Sequence, residues 1–282
     1  MLFCPIGLLW SQGDFGIIAG ISNYQGELAS TNNENGFKAK IGPVFGLHGG
    51  YELSPRFHLR GDLLYTRLSG ADSLNAKEIT RSRNLDFFSP IIQFAAGCDW
   101  NLFGFSIDDG KGFTPYVSAG ASIFYMNPMT NYDGQKVALH PLGTEGQYLS
   151  DYPDQKPYSL FQPSLQFGGG LKMLTSSQMI IALEAMMSYT FTDYIDDVST
   201  IYISYPELID KAGPLTAALA NRQGEYLNSE PFIVPTGSLR GNPQTNDFFG
   251  TITLRVSVPM DIGSQKFKVR HRNAKTIHCP KF

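Results

Sequence analysis

Between residues 56 and 68 the chain alternates apolar and polar side chains almost one for one. Phe57, Leu59, Gly61, Leu63 and Tyr65 fall on one face, and Arg56, His58, Arg60, Asp62, Leu64 and Thr66 on the other. A period of two predicts a β-strand. Charges on the face opposite the apolar one need water there, or the polar lumen of a membrane barrel whose apolar face meets lipid. The pattern returns in residues 41–52, where Ile41, Pro43, Phe45, Leu47, Gly49 and Tyr51 alternate with Gly42, Val44, Gly46, His48, Gly50 and Glu52. It returns again in 181–191 and 248–258, and more weakly in 15–24, 88–100, 113–125 and 164–174. These make eight strands, each near or above the roughly 9–11 residues that a tilted membrane-spanning strand needs.

The connections predict the topology. In order they are 25–38, 53–55, 69–83, 102–112, 126–163, 175–177 and 193–247. The second, fourth and sixth are the shorter ones, so short turns gather at one end and long loops at the other, as in outer-membrane barrels. An even strand count returns both termini to the short-turn side. The expected fold is therefore all-β: an eight-stranded antiparallel transmembrane outer-membrane β-barrel with long extracellular loops, short periplasmic turns and both termini in the periplasm. Tyr65, Tyr125, Tyr189 and Phe191 fall near the outer strand ends, and Tyr51, Phe57, Trp100 and Phe113 near the inner ones, as two interfacial girdles would. In the longest loop, Pro214 followed by Leu-Thr-Ala-Ala-Leu-Ala predicts a short helix ending at Asn221.

Composition narrows the class. Aromatic residues make up 13% of the 282, with 29 Gly and 17 Pro, a profile of short strands and turns rather than of a helical enzyme. No stretch approaches the roughly 20 apolar residues of a membrane helix. The net charge of -3 gives no reason to expect nucleic acid. Three cysteines make no disulfide framework. Residues 1–12, with Cys4 in an apolar run and no basic start, read as a signal peptide truncated at its beginning. Residues 13–260 are then the barrel and its loops, and 261–282 a basic periplasmic tail.

Candidate chemistry is sparse. An eight-stranded barrel is just wide enough for side chains to fill it. Inward-facing Glu52, Arg60, Asp62, Lys172, Glu184 and Arg255 are therefore expected to pair across the lumen as a charge network, not as an ion path. His48 and His58 face that lumen on adjacent strands, which does not suit the lipid-facing Ser–His pair of an outer-membrane lipid hydrolase. No catalytic residue, metal or cofactor is expected. Asp193, Asp196 and Asp197 open the longest loop without EF-hand spacing, so a solvated acidic rim is expected rather than a calcium site. From Ile262 on, the tail carries Lys266, Lys268, Arg270, Arg272, Lys275 and Lys281 with no acid and ends on Phe282. Its alternation of charge and apolar residues suits docking onto a partner.

Several strings are more specific than any barrel pattern. They are Gly20-Ile-Ser-Asn-Tyr-Gln-Gly-Glu-Leu28, Tyr51-Glu-Leu-Ser-Pro-Arg-Phe57, Arg83-Asn-Leu-Asp-Phe-Phe-Ser-Pro90 and Phe113-Thr-Pro-Tyr-Val-Ser-Ala-Gly120. Further on come Pro141-Leu-Gly-Thr-Glu-Gly-Gln147, Phe167-Gly-Gly-Gly170, Tyr189-Thr-Phe-Thr-Asp-Tyr-Ile-Asp-Asp-Val-Ser-Thr200 and Gly241-Asn-Pro243. Together, over residues 13–259, the chain resembles the PorG-like outer-membrane proteins of the type IX secretion system. The resemblance implies a non-enzymatic barrel that ties a periplasmic ring to the outer membrane and supports protein export and, in some bacteria, gliding. The partners it implies are the ring proteins, with outer-membrane lipid, lipopolysaccharide and other translocon components as further contacts. A small-solute or ion channel, or a stand-alone barrel outside the machine, is the alternative.

Overall fold

A computed structural model describes residues 12–29, 40–106 and 112–261. The strands are β1 (Gln12–Gln25), β2 (Gly42–Ser54), β3 (Phe57–Ala71), β4 (Asp86–Asn101), β5 (Phe113–Met126), β6 (Met129–Tyr132), β7 (Gln135–Ala138), β8 (Phe161–Leu174), β9 (Ile180–Thr190) and β10 (Phe248–Asp261). Eight of them, β1 to β5 and β8 to β10, close into an antiparallel barrel. Closure is made by β1 on β10, from Gln12 opposite Asp261 to Gln25 opposite Phe248. Every edge of the eight wall strands is thereby paired, which a bilayer demands because it offers backbone groups no water.

Side-chain parity follows the sequence pattern. Along β3, Phe57, Leu59, Leu63 and Tyr65 point out and are exposed, while His58, Arg60, Asp62 and Thr66 point in and are buried. Ile17, Phe45, Phe94, Ile123, Leu183 and Leu254 continue the exposed apolar belt around the wall. A continuous belt of this kind is the surface a bilayer covers, which makes the chain a barrel of the outer-membrane type. Phe57 stands opposite Trp100 at the short-turn end. Tyr125 and Phe161 pack together at the other end, their rings tilted by 55° with centroids 5.2 Å apart.

The long loops are folded. The β3–β4 loop carries α1 (Glu78–Arg83), and the β9–β10 loop carries α2 (Tyr205–Ala212), α3 (Pro214–Ala220) and α4 (Gln223–Leu227). The short helix expected after Pro214 is α3, which ends before Asn221. The β5–β8 connection, expected as one long loop, contains the β6–β7 hairpin. Its turn is Asp133-Gly134, both at positive φ, the type I′ geometry that an Asp-Gly pair favours. Two apolar clusters hold this cap. Tyr24, Leu28, Phe87, Ile91, Phe124, Met126, Ile195 and Phe249 fill the barrel mouth, and Ile203, Leu208, Ala217 and Ala220 form a smaller core among the helices.

Candidate functional site

The lumen near the short-turn end is a charge network. Arg60, on β3, places Nη2 2.7 Å from Asp62 Oδ2 and 2.9 Å from Glu184 Oε2 on β9. Arg255, on β10, reaches the other oxygen of Glu184 at 3.0 Å. Asp99, on β4, lies between three cations: Arg60 at 3.4 Å, and Lys172 and Arg255 each at 3.8 Å. His48 bonds Asp62 through Nδ1 at 2.6 Å and takes Arg255 Nη1 at Nε2, also at 2.6 Å. His58 Nε2 holds Asp14 at 2.7 Å. The Tyr116 hydroxyl donates to Glu184. Gly50 makes this packing feasible, because a Cβ there would lie 2.1 Å from Asp14 Oδ1. Of the expected network, Arg60, Asp62, Lys172, Glu184 and Arg255 are brought together. Glu52 is half-buried beside them and lines the same small cavity as Asp14, His58 and Lys172. That cavity has a volume of about 10 Å³, room for about one water molecule.

Further along the lumen the contacts are neutral. Gln93 donates to Ser122 at 2.9 Å, Ser122 and Ser164 lie 2.6 Å apart, and Ser22 and Thr66 are also 2.6 Å apart. Beyond them the apolar cluster of the mouth closes the barrel.

Above that cluster lies a second polar assembly, built from loops. Arg240 binds Glu145 at 2.9 Å, and Glu145 also accepts the backbone N–H groups of Ser199 and Thr200. Asp197 accepts the hydroxyls of Thr144 and Tyr158, each at 2.6 Å. Tyr24 reaches Asp196 at 2.8 Å and Asp247 at 2.7 Å with its single hydroxyl. Asp193, Asp196, Asp197 and Asp247 are all buried. The expected solvated acidic rim is therefore corrected: the chain after β9 turns inward over the barrel mouth, where Asp196 and Asp247 accept backbone N–H groups, Asp197 accepts hydroxyls and Asp193 is buried. Burial, and then the nearby Glu27 carboxylate, push Asp193 up to about 9 and Asp196 up to about 8. Burial pushes Asp197 up to about 6, against the pull of Arg240.

A family model described as Domain of unknown function (DUF6089) matches residues 3–208. The chain belongs to this family. No curated protein matches it. Among solved structures, the DUF6089 chain is similar to Neisserial surface protein A, with 11% identity, 87% of this chain and 96% of that one covered, and a TM-score of 0.41. It is similar to Ail, the attachment invasion locus protein of Yersinia pestis, with 12% identity, 89% and 97% covered, and a TM-score of 0.39. It is also similar to the outer membrane enzyme PagL, with 13% identity, 88% and 99% covered, and a TM-score of 0.34.

In this DUF6089 barrel three of the strings that carry the PorG-like resemblance supply acids and a tyrosine to the cap. Tyr24 and Glu27 come from the first, Glu145 from the string at 141–147, and Asp193, Asp196 and Asp197 from the string at 189–200. Asp14, Asp99 and Tyr116 complete the lumen network without having been singled out, although all three sit at inward parity on their strands and the alternation could have found them. Glu145 and Arg240 lie in loops, where no periodicity marks them. Residues 1–11 of the expected signal peptide and the tail residues Lys266, Lys268, Arg270, Arg272, Lys275, Lys281 and Phe282 lie outside the described residues, while Gln12 and Gly13, at the expected boundary, open β1.

Proposed function

We propose that this chain is a non-enzymatic outer-membrane subunit of a type IX secretion system, anchoring or docking a periplasmic ring complex to the outer membrane. The strings quoted above support that assignment. In this arrangement the short turns and both termini face the periplasm, the cap faces outward, and the tail of residues 261–282 docks on the ring. Protein export depends on the anchor, and in a gliding bacterium motility does too.

The observation that carries the reading of an anchor rather than a channel is the filled lumen. Ion pairs, a polar middle and an apolar mouth follow one another, and the cavity among the ion pairs holds about one water. A small-solute channel needs a continuous wet path, and an eight-stranded barrel packed in this way offers none. Hydrolysis needs a nucleophile against a base. Among the described residues, no serine hydroxyl hydrogen-bonds a histidine, and His48 and His58 are engaged by carboxylates inside the lumen.

The test is affinity purification of the tagged chain from mild detergent extracts of outer membrane, with mass spectrometry of what accompanies it. Periplasmic ring proteins and other type IX components are expected with the full chain and lost on deletion of residues 262–282, while the barrel still inserts. Recovery of the barrel alone would remove it from the machine and leave a stand-alone barrel. Unchanged ring recovery after the deletion would refute the role of the tail.

A further inference from the structure

The carboxylates over the barrel mouth outnumber the cations beside them. Arg83 is taken by Asp72, at 2.7 and 2.8 Å. Arg240 is taken by Glu145, and Asp197 by two hydroxyls. Glu27, Asp193, Asp196 and Asp247 remain, and among the described residues none of them forms an ion pair. One oxygen each from Glu27, Asp196 and Asp247 lies within 4.8 Å of the others. Two oxygens bound to one calcium ion, at about 2.4 Å each, can be no farther apart than that.

Asp193 supplies the second observation. It is 6% exposed, and neither of its carboxylate oxygens has a hydrogen-bond partner. It faces Glu27, whose Oε2 is also buried and unpartnered. Two ionised carboxylates are both acceptors and cannot satisfy each other. Most donors nearby are already committed, and the Ser199 hydroxyl beside Asp193 is a single donor for two oxygens. Tyr24 has one proton for Asp196 and Asp247 together. The N–H groups of Leu28 and Val198 go to Asp196, that of Ile195 to Asp247, and that of Asn242 to Glu27 Oε1. Gly26 keeps the centre open, since a Cβ there would lie 1.9 Å from Asp247 Oδ1. Isolated buried carboxylates are too costly to persist as anions. They are neutralised either by protons or by a cation, and the convergence of their oxygens suits a cation.

We propose that Glu27, Asp193, Asp196 and Asp247 bind a divalent cation of the calcium class. The four ligands come from the loop after β1 and from both ends of the β9–β10 loop, so the ion ties these segments together above Tyr24. Calcium suits them better than magnesium. It accepts six to eight oxygens in flexible geometry, whereas magnesium demands a near-ideal octahedron and keeps its waters. Zinc prefers nitrogen and sulfur, which this set lacks. Glu27 also lines an open pocket with Asn75, Lys77 and Asn242, which gives the ion a route from solvent.

The test uses the full chain refolded in detergent micelles and titrated with terbium, a calcium mimic whose emission is excited through nearby tyrosine. Tyr24 touches two of the ligands and is the antenna. Saturable emission is expected, displaced by calcium and not by equal magnesium, and weaker by about tenfold or more in Asp193→Asn/Asp247→Asn and in Glu27→Gln. Heat-dependent mobility on SDS gels shows whether each variant still forms its barrel. A folded wild type without saturable emission overturns the proposal, as does emission that survives in both variants or that calcium does not displace. A wild type that binds neither ion, yet gains stability from Asp193→Asn, would mean that the carboxylates share protons, which also overturns it.

Discussion

At the short-turn end of the lumen, Asp14, Asp62, Asp99 and Glu184 meet Arg60, Lys172 and Arg255, with His48 and His58 between them. At the long-loop end, Glu27, Asp193, Asp196 and Asp247 meet mainly one another and the hydroxyl of Tyr24. Both sets are largely shielded from water. The first neutralises itself across a strand register that puts each acid beside a base. The second is assembled by loops with no register and keeps an excess of negative charge. A buried polar group is stable only with its partner in place. The lumen therefore works as a permanent plug, and the cap as a structure whose stability depends on protons or cations from solution.

The largest expected effect tests the plug. Arg60→Met leaves Glu184, Asp62 and Asp99 without their shared guanidinium, and breaking a buried pair in this way costs about 3–5 kcal/mol. Urea unfolding in micelles, followed by Trp100 fluorescence, measures it. A loss below about 1 kcal/mol would place the pair in the class of exposed, screened ion pairs and erase the contrast.

One substitution made at both ends sharpens the comparison. Asp99→Asn removes a charge held by three cations and should destabilise by about 1–3 kcal/mol. Asp193→Asn removes an unpartnered charge, so in chelator at alkaline pH it should leave stability unchanged or raise it. The same sign at both sites would refute the division between a balanced and an unbalanced set.

The pH dependence has a definite direction. A carboxylate whose folded pKa is raised holds a proton that the unfolded chain has already released, so stability falls as pH rises. Asp193 is raised to about 9 and Asp196 to about 8, with Glu27 and Asp247 raised beside them and Tyr24, Glu145 and Arg83 as their other titratable or charged neighbours. In chelator, protection of the β9–β10 loop from protease should therefore decline from about pH 5 to about pH 9, while the barrel stays folded. Calcium should flatten that decline. A loop equally protected across the range in chelator would contradict the raised values.

The smallest effect comes from Gly26→Ala. Its methyl would crowd Asp247 and Tyr24 and should weaken terbium binding about tenfold, roughly 1.4 kcal/mol. Unaltered binding would mean that the loop after β1 shifts freely and that Gly26 does not shape the site.

How legible each region was follows the same division. Alternation in residues 56–68 identified β3, its two faces, and Arg60 and Asp62 as lumen groups, because in a strand sequence parity is spatial direction. The same parity placed Lys172, Glu184 and Arg255 inside. Asp99 and Asp14 carried the same signal and went unnoticed, since their strands alternate more weakly. The Asp133-Gly134 pair is a hairpin signal of the same local kind, yet two four-residue strands are too short to stand out by alternation within residues 126–163. By contrast, nothing in the string from Thr192 to Thr200 tells a solvated rim from a buried cluster. Acidic residues in a loop are usually hydrated, and only the inward course of the backbone, set by Ile195 and Val198 entering the apolar mouth, buries these.

The sequence by itself determined the number of strands in the barrel wall, the direction of side chains along each of them, the asymmetry of the loops and the polar character of the lumen. These depend on a local period of two and on connection lengths. Only the tertiary structure decided which acid meets which base, that the long loops fold into a cap with its own cores, and that Glu27, Asp193, Asp196 and Asp247 converge. Those outcomes depend on closure of β1 onto β10, which brings residues more than two hundred positions apart, such as Tyr24 and Asp247, within 2.7 Å. Contacts at that separation leave no periodic trace in the chain.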